Sequence, residues 1–184
     1  MRIAVYCASS DSAADKYRQD AALLGEAIGE GGHELVYGGG NIGSMRALAL
    51  SARAAGASVI SVIPHFFDDQ GFTFEDSTEV HLTKDMQQRR RIMWERCDGA
   101  IALPGGFGTL EELAEFLTLN QLGILEKPLV LANLDRFWAP LLDLYDRMTA
   151  EGMLHLEIRD RVLVAPDGVS SLEVLLRWSR ERKE

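Results

Sequence analysis

Short, almost wholly apolar runs alternate with longer segments of helical periodicity along the chain. Runs such as IAVY and SVISVI lack the polar–apolar alternation of a half-exposed strand, so they indicate strands that are buried on both faces. Their alternation with helices predicts an α/β fold with a mostly parallel sheet covered by helices on both faces. A length of 184 residues suits an open, doubly wound sheet, because a barrel needs more residues.

The element boundaries follow from these runs and from the glycines and prolines that interrupt them. Strands are expected at 2–7, 34–37, 58–63, 79–83, 99–103, 127–131 and 161–165. Helices are expected at 14–30, 41–55, 85–97, 109–122, 137–151 and 169–184, and a loop at 65–78. No linker or repeat interrupts the series, so residues 1–184 are expected to form one domain.

Composition narrows the possible classes of function. A net charge of −9 argues against a nucleic-acid or anionic-membrane partner, since both need a basic surface. Two cysteines and four scattered histidines suit neither a disulfide framework nor a metal site. No apolar run reaches the length of a membrane span, and a cytoplasmic protein is expected.

The first glycine loop, VYGGGNIGSM, follows the second predicted strand and opens a helix. Gly38, Gly40 and Gly43 satisfy G-x-G-x-x-G, the dinucleotide fingerprint, but no acidic residue ends the next strand to hold a ribose. The glycines could instead serve a tight turn with close helix–sheet packing. As a third alternative the loop contacts a small ligand, with Gly40, Gly43 and Met45 as candidate contacts.

The second glycine loop, LPGGFGTLEE, joins a predicted strand to the helix at 109–122. Gly105, Gly106 and Gly108 let the backbone approach a ligand closely, and Thr109 adds a hydroxyl beside the helix N-terminus. Free N–H groups and the helix dipole favour phosphate there. No lysine follows the glycines, so this is not a Walker A loop, and the phosphate of a mononucleotide is the better prediction.

Three glutamates follow the second loop. If Leu110 marks the centre of the core stripe, Glu111 and Glu115 lie on a solvated face, and Glu112 lies opposite the core. Glu112 either complements the helix dipole or presents a carboxylate to a bound sugar. The arginines of the preceding predicted helix favour the second alternative, in which Glu112 contacts a bound sugar.

These arginines lie in the segment MQQRRRIMWER. Helical spacing places Arg89 and Arg90 on the apolar side beside Met93, whereas Arg91 points away. A guanidinium among apolar residues needs an anionic partner. The partner is either a carboxylate, such as that of Glu112, or a ligand phosphate.

The pairing of MQQRRRIM with PGGFGTLEE resembles the LOG (LONELY GUY) family of cytokinin-activating phosphoribohydrolases. The family pattern is M-H-x-R-K-x-x-M followed by P-G-G-x-G-T-x-x-E, and VYGGGNIGSM and TLNQLGILEKP extend the resemblance over almost the whole chain. The resemblance implies a Rossmann-like homodimer without a cofactor or metal. It also implies hydrolysis of the N-glycosidic bond of a nucleoside 5′-monophosphate, such as isopentenyladenosine monophosphate or AMP, to free base and ribose 5-phosphate.

Carried over by motif, Arg89 and Glu112 are the catalytic pair. The substrate-binding residues that the resemblance implies are Arg90, Gly105, Gly106, Phe107, Gly108, Thr109, Leu110, Glu111 and Thr118, with Gly40, Gly43 and Met45 from the first loop. Gln87 and Arg90 replace the histidine and lysine usual in the family, and HFFDDQGFTF follows Pro64 where many members carry a glutamate. These departures concern recognition of the base and its N6 substituent.

Two other classes of function remain open: a non-catalytic nucleotide or cofactor carrier, and an NAD-dependent enzyme. Similar proteins have often been labelled lysine decarboxylases, but none of the four lysines lies in a glycine loop. For the homodimer, Trp94, Phe116 and Trp138 are expected to be exposed aromatic contacts.

Overall fold

The computed structural model describes residues 1–181, and the last part of the predicted terminal helix, 182–184, lies outside them. Seven strands form one sheet, and every pair of neighbouring strands is parallel. The strands are β1 (Arg2–Tyr6), β2 (Glu34–Tyr37), β3 (Ser58–Pro64), β4 (Glu79–Thr83), β5 (Gly99–Ala102), β6 (Leu129–Ala132) and β7 (Leu163–Ala165). The predicted α/β class with a parallel sheet is confirmed.

Eight α-helices connect or follow these strands in the described part of the chain. They are α1 (Asp15–Glu30), α2 (Gly43–Ala54), α3 (His65–Asp68), α4 (Met86–Arg96), α5 (Phe107–Gln121), α6 (Ala139–Ala150), α7 (Leu156–Arg159) and α8 (Gly168–Glu181). A short 3₁₀ turn at Leu134–Arg136 precedes α6. Asp85 caps the N-terminus of α4, because its carboxylate accepts the backbone N–H of Gln88 at 2.7 Å.

The strand order is β4-β3-β2-β1-β5-β6-β7. The chain therefore winds outward from β1 in one direction, returns to the centre, and winds outward from β5 in the other. The loops that leave β1 and β5 diverge at this reversal, which opens a crevice beyond the carboxyl ends of the two strands. Both glycine loops lie at this edge of the sheet, after β2 and β5.

Alternate strand residues point to opposite faces, and each face carries its own hydrophobic core. One core joins the sheet to α1, α2 and α8, and includes Ile3, Leu24 and Leu48. The other joins it to α4 and α5, and includes Tyr6, Met93 and Phe116. Because α4 and α5 cover the same face, side chains near the carboxyl edge of the sheet can meet between them.

Several predicted boundaries differ from the structure. The loop predicted at 65–78 contains α3, and it forms an antiparallel bridge between Thr73 and Gly40. The strand predicted at 161–165 begins at Leu163, and the helix predicted at 137–151 begins at Ala139. The prediction that Phe116 and Trp138 are exposed is wrong, since both pack in the core beneath α5 and α6. Within residues 1–181, no helix combines the length and apolar character needed to cross a membrane.

Candidate active site

A cavity of about 310 Å³ opens at the carboxyl edge of the sheet, around the reversal between β1 and β5. Loops after β1, β2, β3 and β5 contribute its walls, together with α4 and α5. The lining residues are Cys7, Ala8, Ser9, Gly38, Gly40, Ile42, Met45, Ile63, Phe67, Phe72, Met86, Arg89, Gly106, Phe107, Gly108, Thr109 and Glu112. This is the position at which open α/β sheets bind ligands.

The wall of this cavity contains a buried ion pair between α4 and α5. Nη1 of Arg89 donates to Oε1 of Glu112 at 2.6 Å, and the two side chains are 10% and 6% exposed. Nε of Arg89 also donates to the backbone carbonyl of Val62 in β3, at 3.1 Å. The guanidinium is therefore fixed by two acceptors, and it holds one oxygen of the carboxylate in place.

Burial raises the pKa of the Glu112 carboxyl, and the positive charge of Arg89 partly opposes that shift. A carboxyl whose pKa is raised by burial is a better base than an exposed one, provided that a cation keeps it ionised near neutral pH. Burial also raises the pKa of the Cys7 thiol, so this cavity residue is a neutral thiol and not a thiolate nucleophile.

The position of Glu112 corrects the predicted orientation of α5. The buried residues of this helix are Thr109, Glu112, Leu113 and Phe116, spaced as one helical face. The prediction placed Glu112 opposite the core because it took Leu110 as the centre of the apolar stripe. The buried face is instead centred between Glu112 and Phe116, because a polar threonine and an ion-paired glutamate complete it.

The first turn of α5 forms another wall of the cavity. The helix begins at Phe107, two residues earlier than predicted, so its free N–H groups lie within the glycine loop. A Cβ atom at Gly106 or Gly108 would meet nothing within 4 Å, and the Phe107 side chain is 91% exposed. Gly105 has a different role, because a Cβ there would overlap the buried side chain of Thr109. The turn is thus open to a ligand anion, with the Thr109 hydroxyl beside it.

The first glycine loop is occupied by other parts of the protein. A Cβ at Gly38 would overlap Nη2 of Arg89, so this glycine leaves space for the guanidinium. Gly43 has a φ of +56°, and its N–H donates to Oδ1 of Asp11 at 2.8 Å. The carboxylate of Asp11 therefore occupies the N-terminus of α2, which a dinucleotide fingerprint would offer to a pyrophosphate. The NAD alternative loses its structural basis.

Arg90 lies outside the cavity lining and joins α4 to the solvated side of α5. Its Nη1 lies 2.8 Å from Oε1 of Glu111, and its Nε lies 2.9 Å from Oε2 of Glu115. The prediction that these two glutamates lie on a solvated face is confirmed, since their side chains are 53% and 35% exposed. Arg91 points away, as predicted, and it pairs with Glu95 on its own helix.

The structure brings most of the predicted site residues together. Arg89, Glu112, Gly106, Phe107, Gly108, Thr109, Gly40 and Met45 line the cavity, whereas Arg90, Gly105, Leu110, Glu111, Thr118 and Gly43 do not. The Thr118 hydroxyl donates to the Ala114 carbonyl and lies at a separate groove beside α6. Sequence reasoning missed the residues after β1 and the aromatic residues Phe67 and Phe72. Open α/β sheets bind ligands where the strand order reverses, and β1 borders that reversal, so the residues after β1 could have been predicted.

A family model described as "possible lysine decarboxylase" matches residues 45–175. Three of the four lysines lie in the described part of the chain, and none of them lines the cavity. Lys16 pairs with Asp135 at 2.7 Å, and Nζ of Lys127 donates to the Trp94 carbonyl. Lys183 lies outside the described residues. The described lysines therefore provide no amine for a Schiff base at this cavity.

Three curated relatives share one printed name, cytokinin riboside 5′-monophosphate phosphoribohydrolase. LOG4 of Arabidopsis thaliana is 38% identical over 178 residues, which cover 97% of this chain and 83% of that protein. LOG of Oryza sativa subsp. japonica is 41% identical over 165 residues, with 90% and 68% covered. The protein of Rhodococcoides fascians is 39% identical over 166 residues, with 90% and 84% covered.

Solved structures share the fold at lower identity. The molybdenum cofactor carrier protein MCP from Chlamydomonas reinhardtii superposes with a TM-score of 0.74 and covers 96% of each chain, at 22% identity. A likeness at this identity concerns the Rossmann-like architecture alone.

Proposed function

The chain belongs to the LOG family of cytokinin riboside 5′-monophosphate phosphoribohydrolases, and on that premise we propose how its own residues carry out the reaction. The chain hydrolyses the N-glycosidic bond of nucleoside 5′-monophosphates, such as isopentenyladenosine monophosphate or AMP, to free base and ribose 5-phosphate. The observation that carries the proposal is the buried Arg89–Glu112 pair, which shares one cavity with the open first turn of α5.

In this proposal the first turn of α5 holds the 5′-phosphate. Residues 106–109 line the cavity, and no lysine is among the lining residues in the described part of the chain. Fixing the phosphate there orients the ribose toward Glu112, one turn further along the same helix. A nucleoside without a phosphate is therefore expected to react poorly.

Glu112 acts on the sugar. Cleavage of the N-glycosidic bond builds positive charge on the ribose, and water must attack C1′. A carboxylate beside the sugar stabilises that charge and accepts a proton from the attacking water. Arg89 keeps Glu112 ionised and oriented, because its Nη1 and Nε are already committed to Glu112 and to the Val62 carbonyl.

The test is Glu112→Gln with AMP and isopentenyladenosine monophosphate as substrates. We expect turnover to fall by two or more orders of magnitude, since glutamine cannot accept the proton but can still accept the Arg89 hydrogen bond. Release of free base, separated by chromatography, measures the effect. Nucleotide binding and the circular dichroism spectrum are expected to stay unchanged.

Glu115→Gln is the matched control, because it makes the same chemical change on the same helix outside the cavity. Native turnover in Glu112→Gln would overturn the assignment. A wild-type protein that binds AMP without releasing adenine would instead support the carrier alternative.

Three further predictions belong to the proposal: residues 1–184 act as one nucleotide-binding domain, the active form is a homodimer, and the location is cytoplasmic. The domain and homodimer predictions rest on the sequence and on family membership. Light scattering of the purified protein measures its oligomeric state.

A further inference from the structure

Ser9 lies in the loop that follows β1, and it lines the cavity together with Cys7 and Ala8. The residue is exposed, and its hydroxyl forms no hydrogen bond with any other group of residues 1–181. The roles assigned above to Arg89 and Glu112 leave this hydroxyl unused.

The polar side chains that follow Ser9 differ from it, because each of them has a partner within the protein. The hydroxyls of Ser10 and Ser12 lie 2.8 Å apart, and the Asp11 carboxylate accepts the N–H of Gly43 at 2.8 Å. Ser9 is therefore the member of this polar run that both lines the cavity and remains available to a ligand. A few polar groups placed in a largely apolar cavity are what fixes the orientation of a bound molecule.

The backbone on both sides of Ser9 is held against the start of α2. The carbonyl of Ala8 accepts the N–H of Met45 at 3.3 Å. A Cβ atom at Gly43 would lie 2.8 Å from the backbone nitrogen and oxygen of Ser10, so these two chain segments are in close contact. Because its neighbours are fixed, Ser9 can bind a ligand group with little loss of conformational entropy.

The same loop lies beside the loop that leads into α5. β1 and β5 pair as far as Tyr6 and Ala102, and the N–H of Leu103 donates to the Tyr6 carbonyl at 2.9 Å. Burial raises the pKa of the Cys7 thiol, and the nearby charge of Glu112 raises it further. The chain that leaves β1 toward Ser9 therefore passes close to Glu112, the residue proposed to act on the sugar.

A bound ribose presents two hydroxyls, and a hydroxyl removed from water needs a hydrogen-bond partner. The lining side chains within residues 1–181 that hydrogen-bond strongly are those of Ser9, Arg89, Thr109 and Glu112. Arg89 is already bonded to Glu112 and to the Val62 carbonyl, and Thr109 lies at the turn proposed to hold the phosphate. Ser9 and Glu112 are thus left for the sugar.

We propose that the Ser9 hydroxyl binds one of the two ribose hydroxyls, and that it positions the sugar and selects against the nucleotide that lacks that hydroxyl. This inference rests on the proposed hydrolysis and adds a residue to the same site. A site that bonds a substrate hydroxyl rejects the analogue without it, because the protein group is then left without its partner.

The experiment measures kcat/KM for AMP, 2′-deoxy-AMP and 3′-deoxy-AMP in the wild type, in Ser9→Ala and in Ser12→Ala. We expect Ser9→Ala to lower kcat/KM for AMP about tenfold, which is the usual weight of one hydrogen bond. For one of the two deoxynucleotides the same substitution is expected to change kcat/KM less than twofold, because the hydroxyl that Ser9 binds is already missing. That analogue identifies the hydroxyl.

Ser12→Ala is the matched control, because it removes a hydroxyl from the same loop at an exposed residue that does not line the cavity. We expect it to keep the wild-type values for all three nucleotides. An equal loss for all three in Ser9→Ala indicates a structural role or a contact with the phosphate, and it overturns the inference, as does an unchanged value for AMP. Absence of adenine release from AMP in the wild type overturns the hydrolysis proposal instead. The dissociation constants of the three nucleotides then test Ser9 by the same comparison.

Discussion

The two glycine loops of this protein have similar composition and lie at the same edge of the sheet, yet one is filled and the other is open. In the first, the Arg89 guanidinium lies against Gly38, and the Asp11 carboxylate accepts the N–H of Gly43. In the second, Gly106 and Gly108 face open space. A glycine-rich turn before a helix is therefore not by itself a phosphate site. What distinguishes the two is whether the protein already supplies the groups that fill the turn.

Gly38→Ala tests this difference with the largest expected effect. The added methyl group would overlap the Arg89 guanidinium, so Arg89 must move and release Glu112. We expect hydrolysis of AMP to fall 100-fold or more, and the free energy of unfolding to fall by about 1–3 kcal/mol from overpacking. Initial rates and denaturant unfolding measure the two effects.

The matched change in the open loop is Gly108→Ala. Its methyl group meets open space, so we expect no loss of folding free energy, although a narrower phosphate site would raise KM. Equal destabilisation by the two substitutions would show that the loops do not differ in the way described.

Arg90→Met tests how far the pKa of Glu112, on the helix after the second loop, depends on a charge from α4. Burial raises the pKa of Glu112, and the Arg90 charge lowers it, so loss of Arg90 raises this pKa further. In the proposed mechanism the ionised carboxylate is the active form, so activity is expected to be lost as the pH falls through the raised pKa. We expect the acidic limb of kcat/KM to lie above the ordinary glutamate value of about 4.3 and to move to higher pH in the variant.

The pH profile of Arg91→Met serves as the reference for Arg90→Met. This substitution removes the same charge from the same helix, but Arg91 is exposed and pairs with Glu95. If Arg90 binds substrate directly, its loss will raise KM strongly without moving the acidic limb.

Asp11→Ala has the smallest expected effect. It removes the carboxylate that accepts the Gly43 N–H at the start of α2, so we expect a loss of about 1 kcal/mol in the free energy of unfolding. Hydrolysis of AMP is expected to stay within about threefold of the wild type. Asp11→Asn, which keeps an acceptor, should recover most of the stability. A large rise in KM for AMP in Asp11→Ala would mean that the N-terminus of α2 takes part in binding the substrate.

The sequence predicted the sheet more accurately than the site. β2 and β4 have the predicted boundaries. The apolar run of β2 is buried, as expected for an interior parallel strand, whereas β4 is a mostly exposed edge strand. The prediction of which face of α5 is buried was wrong, because leucines were assumed to mark the core. Glu112 is buried by a partner 23 residues away in sequence, and helical periodicity contains no information about that partner.

The cavity wall at Phe67 and Phe72 could not be predicted for a related reason. The segment 65–78 shows no period, and its position depends on hydrogen bonds to Gly39 and Asn41. The opposite error was made at Phe116 and Trp138. These two residues were predicted to be exposed, but they lie in the core. In each case a long-range contact decides where the side chain lies.

The contacts of Arg89 link catalysis to the folding of distant segments. Its side chain touches the Val62 carbonyl in β3, the space left by Gly38 after β2, and Glu112 on α5. These contacts come from β3, from the turn after β2 and from α5, which are far apart in sequence. The proposed catalytic pair therefore requires all of these segments to be folded together, and turnover is expected only from the fully folded chain.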